Sequence, residues 1–345
     1  MSTANVRKPI PEINKKPGMR YIWFDNRFEL PVIDITHPAF DFRPSDDELE
    51  ALERSTIHDL EEREKVPKLL QSLMLKFYLR GSVLASHITR SRGGYLDALG
   101  TYLLKLGPAN LGSGYATKVD RAIASSLPCV SVRMRLRETA GLIAEAAARL
   151  LSGRRGVPLY LVDIAGGTAM DSVNALIVLM RDHHDLIKES RVELRILDRD
   201  DKGPAFGIAA LEELRKAGAP LAEIAASAAH VAYDWSNTEQ LGTTLDEVEG
   251  NDGVAVCSSE GGLLDYGSDE EITANLRALG RLSEDRRSFI GTISRVDGFR
   301  NRINADSGAA LNLRNLEDFT AHTEAAGWRV KEARECPLCY CLLLE

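Results

Sequence analysis

The sequence predicts an α/β protein in which an N-terminal helical cap precedes a mostly parallel sheet covered on both faces. Apolar residues recur with a helical period between residues 45 and 151, and short apolar strands alternate with helices from residue 159 onward. At the end of the chain two strand-like runs, 328–335 and 338–344, are separated by only two residues. A parallel pair needs a crossover of about a dozen residues, so these two runs must form an antiparallel hairpin or a bend.

The composition is that of an ordinary globular protein and excludes several classes. The chain has 345 residues, which fits two domains at about 100–200 residues each. Its 43 Lys and Arg against 51 Asp and Glu give a net charge of -8, so we expect no nucleic-acid partner. No apolar run approaches the roughly 20 residues of a membrane span, and the N-terminus has no secretory apolar region. We therefore expect a cytoplasmic protein with no membrane partner.

The predicted boundaries follow the changes in pattern. Residues 1–44 are predicted to form an extended arm, 45–151 the helical cap or substrate domain, and 152–345 the ligand-binding domain. Ser45 and Glu48 have capping-box spacing, Pro67 opens a further helix, and no strand is expected in about the first 150 residues. The aromatic residues between 21 and 28 make a homodimer one alternative and packing within the chain the other.

The strongest local pattern is the run 161–172, in which a buried strand leads into a turn of small residues that opens a helix. Small residues let the backbone approach a ligand closely, and a helix N-terminus offers free N–H donors. The GxGxxG phosphate fingerprint does not occur here. The run predicts ligand contacts from Asp163, Ala165, Gly166 and Gly167, with a tight turn that binds nothing as the alternative.

Polar residues also follow the next three strands. Asp198 ends the second strand, where a carboxylate can accept hydrogen bonds from ribose hydroxyls. Asp234 and Trp235 follow the third strand and can bind the amine and cover the face of adenine. The carboxyl ends of parallel strands meet at one edge, so we expect one site there. Its further predicted members are Arg199 after the second strand and Ser258 and Glu260 after the fourth.

From about residue 159 to 345 these runs resemble the class I S-adenosylmethionine-dependent methyltransferases. The resemblance implies a Rossmann-like seven-stranded, mostly parallel sheet with an antiparallel C-terminal hairpin, and S-adenosyl-L-methionine as the cofactor. It implies that the turn 163–168 holds the methionine part, Asp198 the ribose, and Asp234 with Trp235 the adenine.

A closer likeness is to the branch that includes leucine carboxyl methyltransferases and small-molecule O-methyltransferases. Arg133-Met134-Arg135 matches its Arg-x-Arg, and the run 260–266 matches its Glu-Gly-Leu-Leu-x-Tyr with one extra glycine. Val173 stands where the branch has an arginine. Arg133 and Arg135 are expected to contact a carboxylate of the cofactor or substrate, with a solvated helix start as the alternative.

The predicted function is methyl transfer to an O or N nucleophile of a small molecule in secondary metabolism. The sulfonium methyl is already activated, so a general base is needed only if the acceptor arrives protonated. Tyr266 and Asp265 are weak catalytic candidates. Tyr95, Tyr102 and Tyr115 could line the substrate pocket, with core packing as the alternative.

Three alternatives to methyl transfer onto a small molecule stay open. They are non-methylating chemistry on the same fold (cyclisation, elimination or decarboxylation), a protein carboxyl or RNA methyltransferase, and a non-catalytic binding protein. Cys336, Cys339 and Cys341 do not complete a tetrahedral zinc site, and no histidine stands near them in the sequence. We therefore expect buried structural thiols and no metal.

Overall fold

The structure, a computed structural model, describes residues 7–67, 81–91, 94–307 and 309–345. The helix predicted to open at Pro67 falls on residues outside these ranges. None of the helices within them combines the length and the apolar character that a bilayer-spanning helix requires.

The N-terminal segment contains a hairpin where the sequence predicted an extended arm without strands. Strands β1 (Tyr21–Phe24) and β2 (Phe28–Pro31) pair antiparallel around Asp25 and Asn26, whose φ angles are 49° and 53°. Two consecutive positive φ angles are typical of a type I′ turn, which matches the twist of the strands it joins. The hairpin packs within the chain, because Phe24 lies 5.2 Å from the ring of Phe206.

Helices occupy most of the chain from residue 46 to residue 151. The predicted capping box at Ser45 is confirmed, because its hydroxyl accepts from the Glu48 N–H and the Glu48 carboxylate accepts from the Ser45 N–H. Among the described residues of this region, the helices are α1 (Asp46–Glu64), α2 (Val83–Arg90), α3 (Ala98–Leu106), α4 (Lys118–Ala124) and α5 (Leu127–Leu151). A short 3₁₀ turn, Glu12–Asn14, precedes them.

The long helix α5 lies against the sheet. Its Ala140, Ile143 and Ala147 belong to the same hydrophobic core as Leu159 and Leu161 of the first sheet strand. The domain boundary between residues 151 and 152 stays a prediction.

The main sheet has seven strands in the order β5-β4-β3-β6-β7-β9-β8. The first five in the chain pair in parallel, and β9 runs antiparallel between β7 and β8. This confirms the predicted mostly parallel sheet with its antiparallel C-terminal hairpin. The strands are β3 (Leu159–Ile164), β4 (Arg191–Asp198), β5 (Ala225–Ala232), β6 (Val254–Ser259), β7 (Arg287–Ser294), β8 (Val330–Glu335) and β9 (Cys339–Leu344).

Helices cover both faces of this sheet. Leu159 and Leu161 of β3 face one core, whereas Tyr160 and Val162 face the other, as the alternation of side chains along a strand requires. The helices are α6 (Met170–Asp182), α7 (His184–Ile187), α8 (Lys202–Leu214), α9 (Glu239–Gly250), α10 (Leu263–Tyr266), α11 (Asp269–Leu279), α12 (Gly298–Ser307) and α13 (Leu316–Ala325), with a 3₁₀ turn at Glu284–Arg286.

Candidate functional site

The turn from β3 to α6 holds three residues in the left-handed conformation. Ala165, Gly167 and Ala169 have φ angles of 56°, 52° and 50°. This conformation costs a non-glycine residue about 1–3 kcal/mol, so the surroundings must hold it. The Ala165 N–H donates to the Leu197 carbonyl at 2.7 Å, and the Ala169 N–H donates to the Gly166 carbonyl at 2.7 Å. The turn is therefore fixed before any ligand arrives.

Gly166 is required at its place by close packing. A Cβ atom at this position would lie 2.6 Å from Cγ of Asp163, a distance that side chains do not tolerate. The backbone of the turn consequently sits directly on the end of β3.

Asp198 joins this turn to the end of β4. One of its carboxylate oxygens accepts the Gly167 N–H at 2.8 Å, and the other accepts the Asp200 N–H at 2.9 Å. The side chain stays half-buried, with access to the space above the strand ends.

A cavity of about 1020 Å³ lies at this edge of the sheet. The helical region closes it from the other side through Leu52 and Thr56 of α1 and Thr101 and Lys105 of α3. Of the predicted site residues, those that line it are Tyr95, Ala165, Gly166, Gly167, Asp198, Arg199, Trp235, Glu260, Asp265 and Tyr266.

Glu260 forms a buried charge cluster with two cations in the cavity wall. Its carboxylate pairs with the Lys105 ammonium and with Nε of Arg135, the latter at 2.6 Å. Burial alone would raise the pKa of Glu260, but the two cations outweigh it and hold that pKa below its ordinary value. Gly261, beside the Arg135 guanidinium, has a φ of 67°, a left-handed conformation that favours glycine.

Asp265 follows this cluster in the short helix α10 after β6. It is buried, and its Oδ1 accepts from the N–H and the hydroxyl of Ser294 at 2.9 and 3.0 Å. Burial raises the pKa of Asp265 to about 6, although the Arg135 charge opposes the rise. Burial likewise raises the pKa of the neighbouring Tyr266 to about 12.

Aromatic rings form one wall of the cavity. The Tyr95 ring lies 5.7 Å from Trp235 and 4.8 Å from Tyr266, in edge-on arrangements. The Tyr95 side chain is exposed at 52%. These rings offer flat apolar surface to a ligand.

Four of the predicted cofactor contacts lie outside the cavity wall: Asp163, Ser258, Asp234 and Arg133. Asp163 is buried beneath the turn, accepts from the Ser172 hydroxyl at 3.1 Å, and has its pKa raised well above the ordinary value by burial and by Asp171. Ser258 donates to Asp171 at 3.1 Å. Asp234 holds its own loop, because its Oδ1 accepts from the Ser236 N–H at 3.0 Å. Asp163, Ser258 and Asp234 support the strand ends and do not face the cavity.

Arg133 lies at a second, smaller cavity instead. Its guanidinium covers the Phe42 ring at 4.4 Å and donates to the Ala124 carbonyl at 2.6 Å. The geometry gives no support to a contact between Arg133 and a ligand at the strand ends. Arg135, two residues further along α5, faces the main cavity.

Tyr102 and Tyr115 are buried core residues, which is the alternative to their lining a substrate pocket. The Tyr102 hydroxyl donates to the Pro31 carbonyl at 2.6 Å and accepts from the Ile33 N–H at 3.1 Å. The Tyr115 ring packs edge-on against Phe28 at 5.6 Å. Both side chains are directed toward the N-terminal hairpin and its continuation.

Sequence reasoning missed Lys105 and Cys339 as cavity residues. A single lysine within the apolar stretch 103–106 was the available indication for Lys105, because a charge on a buried helix face needs a partner. No pattern in the neighbouring sequence indicated Cys339, because its access to the cavity results from the packing of β9 beside β7.

The arrangement of the strands decides the fold. The sheet has five parallel strands in the order β5-β4-β3-β6-β7, and the antiparallel β9 then separates β7 from β8. This arrangement matches what the resemblance implied. The fold is that of the class I S-adenosylmethionine-dependent methyltransferases.

Comparison with solved structures gives matches of low sequence identity. A possible exported protein from Bordetella parapertussis is 16% identical with a TM-score of 0.52, over 89% of this chain and 98% of that one. The riboflavin-derivative dimethyltransferase RosA from Streptomyces davawensis is 10% identical with a TM-score of 0.38, over 66% and 59%. The O-methyltransferase NcsB1, solved with S-adenosyl-L-homocysteine and 1,4-dihydroxy-2-naphthoic acid, is 13% identical with a TM-score of 0.39, over 65% and 58%. No family model and no curated protein matches the chain.

Proposed function

We propose that this chain binds S-adenosyl-L-methionine in the main cavity and transfers its methyl group to an O or N nucleophile of a small molecule. The observation that carries the proposal is the hydrogen bond from the Gly167 N–H to the Asp198 carboxylate. It joins the turn after β3 to the end of β4, and both residues line the main cavity. The carboxylate suits the hydroxyls of a ribose, and the adjacent turn of small residues lets the backbone approach the polar methionine part of the same ligand.

The residues present fit the cofactor. The turn 165–167 brings backbone within reach of the methionine part, Asp198 offers its carboxylate to the ribose, and Trp235 offers a ring face to the adenine. The cavity of about 1020 Å³ is at the upper end of the roughly 300–1,000 Å³ typical of ligand pockets, so it has room for a cofactor and a second small molecule.

The cofactor supplies an electrophilic methyl on a sulfonium, and the protein has to position the acceptor and exclude water. Residues of α1 and α3 close the cavity on the side opposite the strand ends. Tyr95 and Tyr266 lie between that wall and Trp235, where they can flank an acceptor.

Asp265 is the better of the two candidate bases. A carboxyl with a pKa of about 6 is ionised at neutral pH and can take a proton from an acceptor, whereas a phenol with a pKa of about 12 stays protonated. Tyr266 then acts as a surface for the acceptor. The setting in secondary metabolism, the cytoplasmic location and a homodimer remain predictions.

The formation of S-adenosyl-L-homocysteine tests the reaction type. Purified protein is incubated with S-adenosyl-L-methionine and a panel of phenols, carboxylic acids and amines, and both products are measured by mass spectrometry. We expect equal amounts of methylated acceptor and S-adenosyl-L-homocysteine for at least one class. Conversion of an acceptor without formation of S-adenosyl-L-homocysteine would contradict methyl transfer and indicate a non-methylating reaction.

A further inference from the structure

Three cysteine sulfurs converge at the turn between β8 and β9. The Sγ atoms of Cys336, Cys339 and Cys341 all lie within 4.8 Å of one another, and those of Cys336 and Cys341 are 3.9 Å apart. With Zn–S bonds of about 2.3 Å, two thiolates of a tetrahedral zinc site lie about 3.8 Å apart. The three sulfurs are therefore already close to the spacing that a single ion imposes.

The backbone explains why the sulfurs meet. Cys336 and Cys339 have the C-x₂-C spacing common in zinc sites, and the Cys336 N–H donates to the Cys339 carbonyl at 2.8 Å across the turn. Cys339 and Cys341 are two residues apart on β9, so their side chains share one face. All three thiols are buried, with exposed fractions of 2%, 4% and 0%.

The surroundings suit a thiolate complex. The Thr139 hydroxyl donates to Sγ of Cys341 at 3.7 Å, and the Arg135 charge acts on Cys339. A divalent ion with three thiolates carries one net negative charge. The Arg135 guanidinium in the adjoining wall carries the opposite charge and acts on the Cys339 thiolate.

Cys339 connects the three-cysteine cluster to the main cavity. It lines the main cavity together with Leu338 and Arg135, whereas Cys336 and Cys341 lie behind it. In the part of the chain that the structure describes, no fourth His, Cys, Asp or Glu joins the three sulfurs. Zinc sites with three protein ligands keep the fourth position for water or substrate.

We propose that Cys336, Cys339 and Cys341 bind a thiophilic divalent cation, with Zn²⁺ as the reference ion and the fourth coordination position open to the cavity. Binding is not a redox step: each sulfur gives an electron pair to the ion, and the three thiol protons pass to solvent. This site is independent of the proposed methyl transfer, and its test does not use activity.

Metal titration of the reduced full-length chain tests the site. Co²⁺ is added in the presence of a phosphine reductant, and Zn²⁺ is then added in competition. We expect one Co²⁺ per chain with intense sulfur-to-cobalt charge-transfer absorption, which Zn²⁺ abolishes. No charge-transfer band, or a band that Zn²⁺ does not displace, would overturn the proposal.

Single substitutions assign the ligands. Cys339→Ser and Cys341→Ser should each weaken Zn²⁺ binding by roughly 100-fold or more, because even loss of a group that only supports a ligand costs about 10–100-fold. Cys129→Ser is the matched control, since Cys129 is also buried and lines the same cavity but lies outside the cluster. Equal affinity in all three variants and the wild type would contradict the assignment.

A measurement on the wild type tests the site without relying on variants that could fail to fold. All five cysteines are buried, so a thiol reagent reaches them only when the chain opens; Zn²⁺ should slow that reaction at three of them, and a chelator should restore its rate. The open position is tested by adding a small thiol to the Co²⁺ form, which should shift the visible bands. Unprotected thiols would overturn the site, and unshifted bands would overturn the open position.

Discussion

The carboxylate of Asp198 accepts a hydrogen bond from the backbone N–H of Gly167 at 2.8 Å. This bond joins the end of β4 to the turn after β3, across 31 positions of sequence. It means that the group proposed to bind the ribose also holds the left-handed turn proposed to bind the methionine part. The two halves of the cofactor site are therefore coupled before a ligand binds.

Tyr102 and Tyr115 give a matched pair of buried hydroxyls. Tyr102→Phe should lower the free energy of unfolding by about 1–3 kcal/mol, because it leaves the Ile33 N–H and the Pro31 carbonyl without their partner. Within the described part of the chain the Tyr115 hydroxyl has no hydrogen-bond partner, so Tyr115→Phe should be neutral or stabilising. Urea denaturation of both variants measures this. A Tyr102→Phe protein of unchanged stability would contradict the core assignment.

Glu260→Gln should be strongly destabilising. Removal of its charge leaves the buried Lys105 and Arg135 cations without a counter-charge, which costs about 3–5 kcal/mol. Glu249→Gln is the control, since Glu249 is exposed. Urea denaturation near neutral pH compares the variants, and a loss no larger than that of the control would refute the buried cluster.

The stability difference between the wild type and Glu260→Gln should depend on pH. Because the pKa of Glu260 is lower in the folded state than its ordinary 4.5, the unfolded chain binds more protons as the pH falls. The stability that Glu260 contributes is thus complete above about pH 4.5 and is lost as the pH falls through the folded pKa. The difference in unfolding free energy between wild type and Glu260→Gln should therefore shrink on acidification.

Asp265→Asn should reveal a shift of the opposite sign. The pKa of Asp265 rises from 3.8 to about 6 on folding, so the folded state binds more protons and loses stability as the pH rises between these values. At about 1.4 kcal/mol per unit, the wild type should lose about 3 kcal/mol relative to Asp265→Asn over that range. Denaturation at a series of pH values measures the difference, and parallel curves would rule out the raised pKa.

Trp235 should report cofactor binding by fluorescence. The chain has three tryptophans, of which Trp235 lines the cavity while Trp23 lies in the hairpin. Addition of S-adenosyl-L-homocysteine should quench the emission of the wild type and of Trp23→Phe, but not of Trp235→Phe, because a stacked adenine quenches the ring it covers. Equal quenching in all three proteins would place the adenine elsewhere.

The sequence predicted those features that depend on neighbouring residues. The strand, turn and helix of the run 161–172 are local. The capping box at Ser45 is likewise formed within four residues. In these cases the pattern and the contacts lie in the same short segment.

Features that depend on distant packing were not predictable in this way. Which tyrosine faces the cavity depends on tertiary packing: Tyr95, before α3, lines the cavity, whereas the Tyr102 hydroxyl within α3 donates to the Pro31 carbonyl. The ion pair of Arg135 with Glu260 spans 125 positions. The hairpin at Asp25 and Asn26 was missed although both residues tolerate positive φ, because its strands are only four residues long.

Calorimetric titration with S-adenosyl-L-methionine tests the central claim most directly. The wild type should bind one cofactor per chain, and Asp198→Asn should bind roughly 10- to 100-fold more weakly, because a charged hydrogen bond to the ribose is worth about 1.5–3 kcal/mol. Asp201→Asn, in which the altered carboxylate lies three residues further on and outside the cavity wall, should bind like the wild type. If the wild type binds no cofactor, or if Asp198→Asn binds it as tightly as Asp201→Asn, the account of this site is wrong.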